Sequence, residues 1–304
     1  MTTLLTGASG FIGSELLKRQ DISFRIVTRN PPPHDGLEYF FTESIDSFTD
    51  WTGAFEGVTS VLHLAGLAHS TCQSATAFDE INFRGTTRLA EEARRQGVKR
   101  FVFVSSIGVN GMATKDQPFT QDSVEEPHNL YTQSKYKAEV GLKKIEKEMG
   151  LEVVIVRPTL VYGSGAPGNF GMLTKLVKSL PILPFGLANN RRDFISVQNL
   201  ADLLVTCVNH PEAGGHTFLA SENHTVSIKE FTNAIAEGLG TNVIQLPIPV
   251  GLMRLAGQLS GKSTLIEQLF GNLEVSSSNI QEVLGWTPPF TMKQAMASLC
   301  NTGK

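Results

Sequence analysis

The segment Gly7-Ala8-Ser9-Gly10-Phe11-Ile12-Gly13 restricts what this chain can fold into more than any other. It follows the short apolar run Leu4-Leu5-Thr6 and opens an amphipathic stretch, so three glycines fall where a strand must turn abruptly into a helix. The first allows the turn, the second lets a phosphate approach the backbone, and the third lets the helix pack on the strand. The free amides at the helix start then face that anion. Further on, strand and helix patterns alternate: strands at 3–6, 24–28, 60–64, 100–105 and 153–156, helices at 11–18, 75–96 and 131–149. Val102-Phe103-Val104 and Val153-Val154-Ile155-Val156 are apolar on successive residues, as strands covered on both faces are. The order predicts an α/β fold with a doubly wound parallel sheet.

After Arg157-Pro158 the character changes, and glycines and prolines between 163 and 186 punctuate short segments. Helical patterns return at 197–208, 227–238, 250–258 and 276–284. This predicts two parts: residues 1–164, joined by 191–221, form the sheet domain, and 165–190 with 222–304 form a smaller, partly helical substrate-binding region. A chain of 304 residues, 41% hydrophobic, can bury a large core. A net charge of -3 with both signs interspersed argues against nucleic acid and anionic membrane surfaces as partners. Small molecules are therefore the expected partners. No apolar run reaches the roughly 20 residues of a membrane span, and the amino terminus is expected to be a first strand and not a signal peptide. Cys72, Cys207 and Cys300 are odd in number and far apart, which suggests neither a disulfide framework nor a zinc site and fits a reducing cytoplasm. Gly261-Lys262-Ser263-Thr264 is read as a helix-joining loop, because a triphosphate loop would need glycine in place of Ala256. No histidine pair has metal-ligand spacing.

Two further elements carry chemistry. Tyr131 and Lys135 are one helical turn apart, so phenol and ammonium project from the same face. Ser106 lies just past a buried strand, at the sheet edge where ligands bind in doubly wound folds, and Ser105 is the neighbouring alternative. Taken alone, the Tyr/Lys pair is equally compatible with a surface contact.

The GxxGxxG spacing and the run Thr6 to Gly13 resemble the extended branch of the short-chain dehydrogenase/reductase superfamily, in its NAD-dependent epimerase/dehydratase family and UDP-glucose 4-epimerase-like subgroup. The resemblance covers nearly the whole chain, as far as Leu284-Gly285-Trp286-Thr287-Pro288. It implies a Rossmann-type sheet whose dinucleotide is held by Gly7, Gly10, Phe11, Ile12, Gly13, Arg29, Leu64, Ala65, Gly66, Asn82, Ser105, Tyr131, Lys135 and Pro158. Where NAD-preferring relatives place an acidic residue after the second strand, this sequence has Arg29, which would pair with a 2'-phosphate; NADP(H) is favoured and NAD(H) is the alternative. Ser44 stands near the usual adenine-binding aspartate, so adenine recognition is expected to be looser or to come from a neighbour. His63 precedes Leu64-Ala65-Gly66 and, by itself, reads as a core histidine.

The same resemblance implies that Tyr131, Lys135 and Ser106 are catalytic. A phenol of ordinary pKa about 10 is a poor base at neutral pH, and Lys135 with the nicotinamide ring is expected to favour the phenolate. Ser106, Asn169 and Arg192 are expected to bind substrate, the last two at the diphosphate of a UDP-sugar, with Arg192 preferred to Arg191. Asn110 replaces a tyrosine of true epimerases, and Ile107-Gly108 replaces the Asp-Glu pair of dehydratases. The expected reaction is reduction of a UDP-4-keto sugar for surface polysaccharide, similar to bacterial reductases of UDP-4-keto-6-deoxy-N-acetylhexosamines. The alternatives are 4-epimerisation and, in another class, a dinucleotide-sensing protein without catalysis. A homodimer through helices 75–96 and 131–149 is a further implication of the family.

Overall fold

The computed structural model describes residues 2–30, 36–68 and 74–303. Its strands are β1 (Thr2–Thr6), β2 (Ser23–Thr28), β3 (Glu38–Phe41), β4 (Val58–His63), β5 (Arg100–Val104), β6 (Glu152–Pro158), β7 (Leu160–Tyr162), β8 (Ile182–Leu183), β9 (Phe194–Ser196), β10 (Thr217–Ala220) and β11 (Ile244–Gln245). Seven of these form one sheet in the order β10-β6-β5-β4-β1-β2-β3. Every pairing in it is parallel. The order reverses beside β1, where Thr6 lies opposite Val27 on one side and His63 on the other. A crevice at the carboxyl ends of the strands follows from that reversal.

The helices are α1 (Phe11–Leu16), α2 (Ala75–Phe78), α3 (Thr86–Arg95), α4 (Leu130–Met149), α5 (Gly168–Ser179), α6 (Val197–Asn209), α7 (Ile228–Gly238), α8 (Val250–Leu259), α9 (Ser263–Phe270), α10 (Ser278–Leu284) and α11 (Met292–Met296). Successive strand residues point to opposite faces, and both faces are covered. Leu5, Leu62, Val102 and Val154 pack with Leu200, Leu204 and Cys207 of α6. Leu4, Val61, Phe101 and Phe103 pack with Leu89 and Ala93 of α3 and Leu142 of α4. That double cover is why these strands lack a polar alternation. A third core, with Phe170 of α5, Phe194 of β9 and Phe231 of α7, lies in the carboxyl-terminal part.

The long α4 starts with a reciprocal cap: Asn129 accepts from the Thr132 amide, and the Thr132 hydroxyl accepts from the Asn129 amide. It stops at Gly150 in the left-handed conformation, φ 70°. The expected single helix at 75–96 is three pieces, because a π-helical turn at Asp79–Gly85 separates α2 from α3. Cys72 lies outside the described residues. Cys207 is a buried free thiol that burial pushes up to about 12. Gly261 forms the turn between α8 and α9, so the lysine and hydroxyls after it join two helices. Among the described residues, no helix is long and apolar enough to cross a membrane.

Candidate active site

The glycine turn leaves β1 at Gly7, whose φ of 72° belongs to the left-handed region. A β-carbon there would lie 2.8 Å from the Ala65 amide nitrogen, so the turn and the segment after β4 touch backbone to backbone. Thr6 fastens the same junction. Its hydroxyl oxygen accepts from the amides of Leu64 and Ala65, both at 3.2 Å, and donates to His63 Nδ1 at 2.7 Å. The Thr86 hydroxyl donates to the Asn82 carbonyl and so must accept from His63 Nε2 at 2.8 Å. His63 is thus a neutral Nε2–H tautomer. Burial, with the Lys135 charge adding to it, drops this imidazole to about 3. It is a core residue supporting the turn.

Asn82 sits in the π-helical turn and ties two elements together. Its Oδ1 accepts from the Leu67 amide at 2.7 Å, while Nδ2 donates to the Leu67 carbonyl at 3.0 Å and to Ser134 Oγ at 2.9 Å. Ser134 in turn donates to the Tyr131 carbonyl at 2.7 Å. A β-carbon on Gly66 would lie 2.9 Å from Asn82 Oδ1 and 3.3 Å from Lys135 Nζ. Gly66, Asn82 and Lys135 therefore converge, and only glycine leaves them room.

Lys135 is buried. Its ammonium donates to the Val104 carbonyl at 2.9 Å and stands 4.6 Å above the Phe103 ring. The other two N–H bonds have no partner among the described residues. Burial lowers it to about 8, with Glu139 opposing. The Ser106 hydroxyl lies close enough to Tyr131 to act on its phenol, and it caps the short 3-10 turn at Ile107–Val109 by accepting from the Gly108 amide at 3.1 Å. Burial pushes the Tyr131 phenol up to about 12 against the effect of Ser106. Ser105 Oγ is buried and has no hydrogen-bond partner among the described residues. Pro158 ends β6 beside Ala220 of β10.

Arg29 is exposed at the end of β2 and has no ion-pair partner among the described residues. Ser44 is not free for a ligand, since it hydrogen-bonds Asp46, and Asp46 also accepts from the Phe48 amide and Thr49.

The two arginines of β9's approach separate cleanly. Arg191 is exposed and pairs with Glu274 at 2.7 Å. Arg192 is partly buried and donates to the Gly271 carbonyl at 2.9 Å, with no carboxylate in reach among the described residues. Desolvation lowers it to about 10. Asn169, in the first turn of α5, meets Gln268 of α9 at 3.5 Å.

Asn110, which stands where true epimerases have a tyrosine, is buried and accepts from Arg157 Nη1 at 3.0 Å. Arg157, itself buried, also pairs with Glu139 at 2.5 Å and Glu125 at 3.0 Å. This cluster binds β6 to α4 behind the catalytic face. Sequence reasoning missed it, although Glu139 falls one helical turn after Lys135 on the buried side of α4.

A phosphate turn at the point of strand reversal, with serine, tyrosine and lysine gathered at the end of β5, is the architecture of extended short-chain dehydrogenase/reductase enzymes. The chain belongs to the NAD dependent epimerase/dehydratase family, whose model matches residues 3–221. It is 40% identical over 303 residues to a UDP-glucose 4-epimerase of Vibrio cholerae, covering 96% of this chain and 92% of that one. It is 23% identical over 310 residues to an N-acetyl-alpha-D-glucosaminyl-diphospho-ditrans,octacis-undecaprenol 4-epimerase of Escherichia coli O157:H7, covering 96% and 92%. The fold is similar to the crystal structure of UDP-N-acetylglucosamine 4-epimerase from Bacillus cereus, with TM-score 0.79, 18% identity and coverage of 99% and 98%.

Proposed function

We propose that this NAD-dependent enzyme works at carbon 4 of a UDP-linked sugar, and that its net reaction is reduction of a 4-keto sugar for surface polysaccharide in the cytoplasm. The observation that carries the reading is the gathering of Ser106, Tyr131 and Lys135 at the end of β5, where Lys135 donates to the Val104 carbonyl and Ser106 opens the 3-10 turn that follows the strand. A protonated phenol is a general acid, which is what the oxygen of a carbonyl under reduction requires. Ser106 steadies that oxygen and Tyr131 supplies its proton. When bound, the nicotinamide supplies the hydride.

The residues present fit such a dinucleotide. The unpartnered Ser105 hydroxyl, the two free N–H bonds of Lys135 and the close backbone approach at Gly7 all suit a ligand along the ends of β1, β4 and β5. Gly10, Phe11, Ile12 and Gly13 would face its phosphates, Leu64, Ala65 and Gly66 its middle, and Asn82 and Pro158 would shape the walls. Arg29, exposed and unpaired, supports NADP(H) over NAD(H). In this reading residues 1–164 and 191–221 hold the cofactor, while 165–190 and 222–304 hold the sugar. Arg192, short of a counter-charge, takes the substrate diphosphate with Asn169. A homodimer would form through α3 and α4, where Val140 is exposed.

A second reading, 4-epimerisation, is supported by the Vibrio cholerae relative's name and identity. Both relatives named as epimerases carry the reacting sugar on a diphosphate, one of uridine and one of a polyprenol. The test is to give the purified protein NADPH and a UDP-4-keto-6-deoxy-N-acetylhexosamine. The expected result is stoichiometric oxidation of NADPH with formation of the 4-hydroxy sugar, lost about 100- to 10,000-fold in Tyr131→Phe while NADPH still binds. Interconversion of UDP-glucose and UDP-galactose without added cofactor, and no NADPH oxidation, would replace reduction by epimerisation.

A further inference from the structure

The buried cluster around Arg157 does more than join a strand to a helix. Taken out of water, an ion pair is no better a fastener than apolar side chains of similar volume. The core between the sheet and α4 already supplies such side chains in Ala138, Leu142, Val153 and Ile155. What a guanidinium adds is direction, because its N–H bonds lie in one plane and reach fixed points.

Those points belong to three segments. Nε and Nη2 donate to the two carboxylate oxygens of Glu139 on α4 at 3.0 and 2.5 Å. Nη1 donates to Asn110 Oδ1 at 3.0 Å, and Nη2 also donates to Glu125 at 3.0 Å. Arg157, Glu139 and Asn110 are each 1% exposed, so water cannot replace the bonds among them.

Each segment leads to a group of the proposed reaction. Glu139 lies one helical turn beyond Lys135, on the buried side of α4, and two turns beyond Tyr131. Asn110 closes the 3-10 turn that Ser106 opens: its amide donates to the Ile107 carbonyl at 2.9 Å, and the Val109 amide donates to the Ser106 carbonyl at 3.1 Å. A turn this short moves as one piece. Glu125 belongs to the lead-in to α4, where the Glu126 amide donates to the Val109 carbonyl at 2.9 Å and Asn110 Nδ2 donates to the Ser123 carbonyl at 3.4 Å. One planar group therefore sets where the Ser106 turn stands relative to the helix that bears Tyr131 and Lys135. The approach leaves no slack, since a β-carbon on Gly108 would lie 2.7 Å from Thr132 Cγ2 and 3.4 Å from Ser106 Oγ.

We propose that Arg157, acting through Asn110 on one side and Glu139 on the other, is a positioning residue that holds Ser106 in register with Tyr131 and Lys135. The proposal rests on those three being the catalytic groups. A displacement of about 1 Å at a reacting group lowers the rate about 100-fold, so the network acts on kcat and hardly on binding.

The experiment follows NADPH oxidation with the UDP-4-keto-6-deoxy-N-acetylhexosamine, and interconversion of UDP-glucose and UDP-galactose alongside it. Asn110→Ser and Arg157→Lys are each made with Ser106 intact and with Ser106→Ala. Asn110→Ser withdraws the arm that reaches Arg157 from the Ser106 turn, and Arg157→Lys keeps the charge but loses the fixed plane. Both should lower kcat about 10- to 100-fold, while the KM for the sugar and the Kd for NADPH stay within about threefold. Once Ser106→Ala is present, Asn110→Ser should lower kcat no further, because a misplaced hydroxyl and a missing one impair the same step. A lower melting temperature with the same proportional loss of kcat in both backgrounds is the mark of a purely structural role and overturns the proposal. Where Asn110→Ser does not fold, Arg157→Lys is read by its split between kcat and KM. Wild-type turnover that neither variant alters removes the positioning role alone. A fully active Ser106→Ala enzyme removes Ser106 from the reaction and this role with it, and a wild type that turns over neither sugar removes both the reaction and the role.

Discussion

Lys135 offers the sharpest quantitative check, because its environment makes stability depend on pH in a known direction. Burial takes the ammonium from an ordinary value of 10.5 to about 8. Between those values the unfolded chain holds a proton that the folded chain has released, so stability rises with pH across the window. From pH 7 to pH 9 the gain is about 1.3 kcal/mol. Lys135→Met removes the titrating group and keeps the volume, so the variant should lack this gain. Urea unfolding of the cofactor-free protein, followed by the fluorescence of the buried Trp51 and Trp286, would be measured for both proteins at both pH values. Comparing the two proteins cancels the opposite contributions of Tyr131 and Cys207, whose values are raised. If the wild type and the variant respond to pH in parallel, the ammonium is not held in a desolvated site, and the account of Lys135 given above fails.

Three other outcomes are expected. Arg192→Met should raise the KM for the sugar diphosphate about 10- to 100-fold, while Arg191→Ala, which removes only an exposed pair, should change it less than about threefold; steady-state kinetics on both variants decides. Glu139→Gln leaves Arg157 with the part-exposed Glu125 as its remaining carboxylate partner and should cost about 1.5 to 3 kcal/mol in urea unfolding. Arg29→Asp should weaken NADPH binding about tenfold or more and leave NAD binding nearly intact, read by titration of each dinucleotide.

The parts of the fold visible in the amino-acid sequence are those set by local chemistry. The glycine turn and the uninterrupted apolar runs of β5 and β6 announce a buried parallel sheet, and Gly150 marks the end of α4. Helix α5 was hidden because Gly168 and Gly171 lower its helical propensity; what holds it is the packing of Phe170, Leu173 and Val177 on the third core. Strand β3 was hidden for a related reason, since Glu38–Phe41 is short and mostly exposed at the sheet edge. In the site, the proximity of Tyr131 to Lys135 is encoded by one helical turn, whereas their electrostatics are not. Which way the ammonium points, and that Asn110 serves Arg157, depend on β5 and β6 lying against α4, a tertiary fact with no local signature.

The wide turn at Asp79–Gly85 makes the length of this connection unforgiving. It accommodates a residue more than a regular turn would, and thereby serves two masters at once: Asn82 is aimed at Leu67 and Ser134, while Leu89, Ala90 and Ala93 further along are aimed at the sheet. Deleting one residue would let the helix wind evenly and keep the flanking faces in step, but it would re-aim the residues inside the wide turn, Asn82 among them. The greasy seam would keep its place while the amide clamp lost its partners, so what the extra residue secures is the direction of Asn82.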